Sequence, residues 1–463
     1  MKRILISALL AFGLTTHSNA QEDSQDLKSL VEVATDLREK ASKSDLSYEL
    51  LSSLTTEVGA RHPGTPGEAA GIEWAMRELK KLGFDKVYKE QFSMKGWIRK
   101  TETAKVLSPS EQNLVVTALG YSTSTSKQGL TADVVMFESY EALQEAEDDS
   151  LGGQIVFINK RMNKARDGSG YGPAVIARGR GASLAAKKGA SGIVIRSIGT
   201  SGNRFAHTGN MNYDSDVKKI PAAALSAPDA DQLERLFAAG HDVTINLNLQ
   251  TQDLGDTKSY NVIAEVTGRE KPNEVVIIGG HLDSWDLGTG ALDDGAGVAL
   301  TMAAAHLIQQ HLDEPPRRTI RVILWGAEEV GLIGAKAYAE RHEDELNNFI
   351  IGSESDFGAG PIYGLQTSVG EQARPIIDAM AEVLGPLNIV RYPGETSGGP
   401  DMIPLSQRGV PALRLLQDGT DYFDYHHTPN DTFDKVKPEN MQQNLAAWTV
   451  FAYMAAEWPG YFR

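Results

Sequence analysis

The chain has no cysteine among its 463 residues. That absence excludes disulfides, thiolate metal ligands and a cysteine nucleophile, so any bound metal must be held by His, Asp or Glu. It does not argue against export, because a chain this long buries an adequate core without covalent staples. Long hydrophobic runs are also missing. The apolar stretch Ile4 to Leu14 is shorter than the ~20 residues that a membrane-spanning helix needs, and no later segment reaches that length. Positive charge is scarce: 45 Lys and Arg stand against 61 Asp and Glu, a net charge of −16. Such a surface repels phosphate backbones, which makes nucleic acid a poor partner. There is no internal repeat, heptad pattern or low-complexity tract.

What is present begins with a basic start at Lys2 and Arg3, the short apolar run, and small residues at Ser18 and Ala20. This is the pattern of a secretory signal peptide cleaved after Ala20, so the mature chain is expected to be exported, periplasmic or secreted, with no membrane span. Loss of Lys2 and Arg3 with that segment would take the net charge to −18. The 41% hydrophobic content is ordinary for a globular protein, and the length exceeds that of one typical domain.

Residues 21–45 carry Leu27, Leu30, Val31, Val33 and Leu37 in a charged background, which predicts an amphipathic helix. Thr56 to Gly64 reads as a loop that leaves His62 on the surface. A helix follows over Glu68 to Leu82, with Gly83 as its stop. Between about 120 and 254 the texture changes to short strands, at Gln154–Ile158, Gly192–Ile195, Ala222–Leu225 and Val243–Leu249, with helices at Ala174–Lys188 and Asp229–Ala239. No dense ionisable cluster falls there, so no residue of it is assigned to substrate. Its glycine-rich piece, Asp167 to Gly172, lacks the lysine and helix context of a phosphate-binding loop and reads as a flexible surface turn. From Tyr260 onward strands and helices alternate, with strands near 261–266, 274–278, 319–325, 349–352 and 412–416. That order predicts an α/β fold: a mostly parallel mixed sheet flanked by helices on both faces.

The chemistry concentrates at the carboxyl ends of these strands, where open α/β sheets bind ligands. GGHLDSWDLGTGALDDGAGVAL, residues 279–300, places His281 and Asp283 just past one strand and Asp293 and Asp294 at the start of a helix. TIRVILW leads into Glu328 and Glu329, FIIG into Asp356, and PALRLL into a polar loop with His426 and His427. Paired acids usually decorate a solvated face, and loop histidines are usually inert. Four such clusters in order, each just past a strand, are a different matter. Two histidines and three carboxylates, one of them shared, form a ligand set for two divalent ions about 3.5–4 Å apart. We assign His281 and Asp356 to one ion and Glu329 and His427 to the other, with Asp293 bridging. Zinc is the first choice for such a set. Asp283 is expected to orient His281 by accepting its free ring N–H. Asp286 and Asp294 are read as structural. Glu328 is expected to act as general base and acid on a water acidified between the cations, and His426 is a candidate donor to the oxyanion.

HLDSWD, ALDD, AEE, ESD and HHTPNDT, in this order and at these distances, resemble the M28 metallopeptidases, zinc exopeptidases with a co-catalytic metal pair. The longer string around His281 is most similar to the carboxypeptidase Q branch of that family. The resemblance implies metal positions at His281, Asp293, Glu329, Asp356 and His427, a catalytic base at Glu328, and a cis peptide between Asp293 and Asp294. It also implies a catalytic domain over 21–119 and 255–463, interrupted at 120–254 by an inserted protease-associated domain, since GQIVFINK, ARGRGASLAAKKGASGIVI and IPAAALS resemble that module. One departure is Thr428, Pro429 and Asn430, where the human-type branch has Ser-His-Gly. It leaves the ligand set intact and bears on substrate preference. The implied activity is hydrolysis of short peptides or dipeptides as an aminopeptidase or dipeptidase, with a carboxypeptidase as the alternative, and a homodimer by family analogy. Two other readings stay open: a binding module that has lost catalysis, as in transferrin-receptor-like ectodomains, and a single-zinc glutaminyl cyclase on the same core. The loop Glu395 to Asp401 is expected near the site.

Overall fold

The computed structural model of the chain describes residues 27–463, so the expected signal peptide over residues 1–20 lies outside the described residues. The N-terminal amphipathic helix runs over residues 27–41 and buries Leu30, Ala34, Leu37 and Ala41. Strands β1 (Lys86–Ser108), β2 (Gln112–Leu114), β3 (Val116–Ala118), β4 (Leu130–Phe137), β5 (Ile155–Ile158), β6 (Gly192–Arg196) and β7 (Ala222–Leu225) come first. They are followed by β8 (Thr244–Val266), β9 (Lys271–His281), β10 (Arg318–Trp325), β11 (Phe349–Glu354), β12 (Ile362–Ser368), β13 (Val390–Arg391) and β14 (Ala412–Gln417).

The half that carries the candidate residues is the sheet β13-β12-β14-β11-β9-β10-β8. Its centre is parallel, with β9 between β10 and β11, while β8 and β12 join antiparallel; this is the mixed sheet the sequence predicts. The run EVVII shows why it lacks alternation. Val276 and Ile278 pack under the helices Ala296–His311 and Pro438–Glu457, whereas Val275 and Ile277 pack on the other face with Trp325, Tyr338 and Met402. A strand covered on both faces needs apolar side chains at every position. Each such burial contributes about 1.5–3 kcal/mol.

The expected strand over 261–266 is only the end of β8, a 23-residue strand that pairs along its length with the equally long β1. β1 was not legible because its polar residues face solvent along much of its length. The far end of β8 pairs with β4, which carries the chain into a second sheet, β4-β5-β6-β7-β3. This second sheet takes in Val116–Ala118 as well as strands between 120 and 254. No helix among the described residues is long and apolar enough to cross a membrane.

Candidate active site

β9 delivers His281 fully buried at the sheet's carboxyl edge. Its Nδ1 lies 2.9 Å from the main-chain carbonyl of Asp283. A carbonyl only accepts, so Nδ1 carries the hydrogen and Nε2 is turned into the site. The expectation for the Asp283 side chain is therefore corrected: its carboxylate stands 3.9 Å from the ring. That carboxylate accepts the backbone N–H groups of Glu328 (3.0 Å) and Glu329 (3.2 Å) instead. The chain turns immediately after His281, which brings the carbonyl under the ring and aims the side chain at the end of β10. There Ala327 has φ +57°, a left-handed conformation costing about 1 kcal/mol, and the turn projects Glu328 and Glu329 in different directions.

Asp293 sits in the kinked turn Ala291–Gly295, where neither it (φ −128°, ψ 86°) nor Asp294 (φ −129°, ψ 38°) is helical, and the bond from it to Asp294 is cis, as the resemblance implies. Its Oδ1 is 3.1 Å from His281 Nε2 and its Oδ2 is 3.2 Å from His427 Nε2, so its two oxygens face the two histidines. Asp356 Oδ1 is 3.7 Å from His281 Nε2, and Glu329 Oε2 is 2.9 Å from His427 Nε2. Asp294 accepts the N–H groups of His281 and Gly297, tying strand to helix. Gly297 must be glycine, since a Cβ there would collide with the Ser355 carbonyl. Asp286 forms a bidentate pair with Arg99, at 2.8 and 2.7 Å.

His427 has φ +61°, and its Nδ1 lies 3.1 Å from the carbonyl of Thr208. His426 stacks on it with ring centroids 3.5 Å apart and brings Nε2 to 3.6 Å from Asp293 Oδ2. Burial, with the neighbouring His427 ring and Arg178, holds His426 well below the ordinary histidine value. Asp167–Gly172 is the surface turn expected, with Asp167, Ser169 and Gly172 exposed, although a Cβ at Gly168 would strike Phe357 and Tyr171 beyond it in the chain stacks on Phe423 at 5.0 Å. One expectation fails in this neighbourhood. The middle of the chain reaches the site, for Tyr171, Arg178 and Asn210 line the same cleft of about 410 Å³ as Asp293, Glu328, Glu329, Asp356, His426 and His427. Folding back of the second sheet brings them there, and no local pattern announces it. Pro400, from the loop expected near the site, lines the cleft too, and the Asp401 N–H donates to Glu354 at 2.6 Å.

Sequence reasoning also missed Arg61 and Asp431. Arg61 is completely buried and donates to the carbonyls of Leu282, Thr289 and Gly290 at 2.6–2.9 Å, pinning the His281–Asp293 loop. Burial lowers it to about 10, a value at which it stays charged near neutrality. Asp431, quoted within HHTPNDT but given no role, accepts the N–H groups of Leu292 (2.6 Å) and Asp293 (3.2 Å). Burial, then Asp293, raises it to about 7. His62, expected on the surface, is buried with its ring 4.9 Å from Trp285, because TEVGARHPG is drawn inward with Arg61.

The donor set fits a metal. Nε2 of both histidines faces carboxylate oxygens, an arrangement that needs a cation or a proton between them. Two groups, His281–Asp293–Asp356 and Asp293–His426–His427, each bring their donor atoms within 4.8 Å of one another, and Asp293 belongs to both. Asp293 Oδ2 and Glu329 Oε1 are buried without a hydrogen-bond partner. In the second group His426 stands where the sequence reading puts Glu329; the stacked rings present both edges to Asp293. Burial, then Asp293, raises Glu329 to about 7. Burial, together with Asp356, Glu329 and Asp283, raises Glu328 well above the carboxylate range.

An α/β sheet that gathers imidazoles and carboxylates at its carboxyl edge, beside a cleft of short-peptide size, is the framework of a metallo-exopeptidase. The model of peptidase family M28 matches residues 261–452. Human carboxypeptidase Q is 35% identical over 411 residues, covering 89% of this chain and 85% of that one. The crystal structure of a peptidase M28 precursor from Shewanella amazonensis SB2B is 50% identical with a TM-score of 0.92, covering 94% of this chain and 99% of that one. An aminopeptidase from Aneurinibacillus sp. strain AM-1, 24% identical with a TM-score of 0.65 over 93% of this chain and 97% of its own, shares the fold. This chain belongs to peptidase family M28.

Proposed function

We propose that this peptidase is exported and trims short peptides or dipeptides from a free amino terminus, using two zinc ions. His281 and Asp356 would hold one ion, Glu329 and His427 the other, with Asp293 shared. The observation that carries this reading is the placement of the two Asp293 oxygens, 3.1 Å from His281 Nε2 on one side and 3.2 Å from His427 Nε2 on the other. When bound, the ions supply Lewis acidity, acidifying a water and polarising the scissile carbonyl. Glu328, aimed into the cleft by the turn that Asp283 holds, accepts a proton from the attacking water and returns it to the leaving amine. The His426 ring donates to the oxyanion. Residues 120–254 act as a protease-associated insert that closes one wall of the cleft. Export rests on residues 1–20, and deleting them should leave the protein in the cytoplasm.

Glu328→Gln should lower kcat by about 10²- to 10⁴-fold while leaving bound metal unchanged. A large loss of metal would make that residue a ligand. A carboxypeptidase reading is favoured by the name of the human relative. Free dipeptides set against N-blocked and C-blocked versions decide between them, since cleavage of N-blocked peptides would replace the aminopeptidase reading.

A further inference from the structure

Two cationic side chains line the cleft, and they differ in what they hold. Arg178 donates to the Tyr171 hydroxyl at 2.5 Å and reaches the Thr208 carbonyl at 3.4 Å. Arg414 makes no ion pair and no side-chain hydrogen bond among the described residues, and its guanidinium lies 5.7 Å from the centre of the Phe357 ring. Its place in β14 explains its direction. Leu413 and Leu415 are buried in the core, so the two-residue period turns Arg414 to the opposite face. β14 runs parallel to β11, with Ala412 beside Gly352, and β11 leads directly to Asp356. A half-buried arginine with free donors thus stands at the edge of the candidate metal site, in a cleft whose carboxylates it does not pair with.

We propose that Arg414 anchors a carboxylate of the peptide substrate, an assignment that rests on the peptidase reading above. A peptide filling a cleft of about 410 Å³ strips water from the guanidinium, and a desolvated cation without a partner is costly. The planar fork of arginine matches a carboxylate through two parallel N–H···O bonds. Asp293, Glu328, Glu329 and Asp356, which line the same cleft, offer an anion no hydrogen-bond donor. A substrate carboxylate held by Arg414 fixes the register of a short peptide against the reacting groups. It can come from the C-terminus or from an acidic side chain.

The test measures the zinc-loaded wild type, Arg414→Met and Arg414→Lys on three matched substrates: a dipeptide with a free C-terminus, its C-terminal amide, and an amide carrying Glu at that position. Arg414→Met should lower kcat/KM for a carboxylate-bearing substrate by about 10- to 100-fold, chiefly through KM, with the neutral amide unaffected and Arg414→Lys recovering part of the loss. Sensitivity confined to the free dipeptide identifies the C-terminal carboxylate; sensitivity retained by the Glu amide identifies the side chain. Equal losses on all three substrates, or no loss on any, overturn the anchor. A wild type that cleaves none of the three overturns the peptidase reading and the anchor together. Metal content and melting temperature matching wild type show that the variants are folded.

Discussion

The two histidines at the site are held in different ways. His281 rests on the carbonyl of Asp283, two residues away on its own loop, whereas His427 rests on the carbonyl of Thr208, 219 residues away in the middle of the chain. Both contacts do the same job, fixing the tautomer so that Nε2 faces Asp293. One half of the site is completed by the catalytic sheet alone. The other is completed only when the second sheet has docked, so on the proposed two-ion reading occupancy of the His427 side would report on that docking and occupancy of the His281 side would not.

The largest effect that tests this contrast is on Asp293, which belongs to both halves. Asp293→Ala should remove both metal ions and all measurable turnover, while His427→Ala should remove one; metal analysis of the purified variants checks it. Loss of a single ion from the Asp293 variant would mean that the halves are independent. Gly209→Ala addresses the second half by itself. Gly209 has φ +140°, and a Cβ there would collide with the Arg178 guanidinium beside the Thr208 carbonyl. We expect this variant to lose metal from the His427 side, with activity down about 10-fold or more, a loss corresponding to at least ~1.4 kcal/mol. Full retention of two ions would show that the Thr208 contact does not matter.

Asp283→Asn sharpens the account of the first half. The side chain loses its charge against the Glu328 and Glu329 N–H groups and keeps one acceptor, while the carbonyl under His281 is untouched. Turnover should fall by about 10-fold with metal retained, since hydrogen bonds to a charged group contribute ~1.5–3 kcal/mol each. Metal loss ahead of turnover would instead make the carboxylate the support of His281. The smallest effect on bound metal is expected for His426→Ala. If Glu329 completes the second ion's ligands, two ions stay bound while kcat drops by about 10²- to 10³-fold with the oxyanion donor gone; a one-ion protein would move His426 into the ligand set.

Much of the catalytic half was legible because its signals are local. A buried parallel strand such as EVVII announces itself by continuous apolar residues, and the acids and histidines stand directly after such runs. Whatever depends on a partner far along the chain was not legible. Tyr171, Arg178 and Asn210 carry no metal-site signature, and β1 shows no clean alternation because much of it is wet. His62 and Arg61 looked like loop residues because loops are normally exposed. Here the loop is buried because Arg61 satisfies carbonyls that would otherwise be orphaned.

The amino-acid sequence by itself determined the residue types, their order, and the strand ends that carry them, since hydrophobic periodicity and turn chemistry act over a few neighbouring positions. Tertiary structure decided which atoms do the holding: the carbonyl rather than the carboxylate of Asp283, the carboxylate of Asp431 under Asp293, and the carbonyl of Thr208 under His427. The physical reason is that a hydrogen bond is directional and short-ranged. Its partner is chosen by ångström-level placement of segments whose separation along the chain leaves no pattern to read.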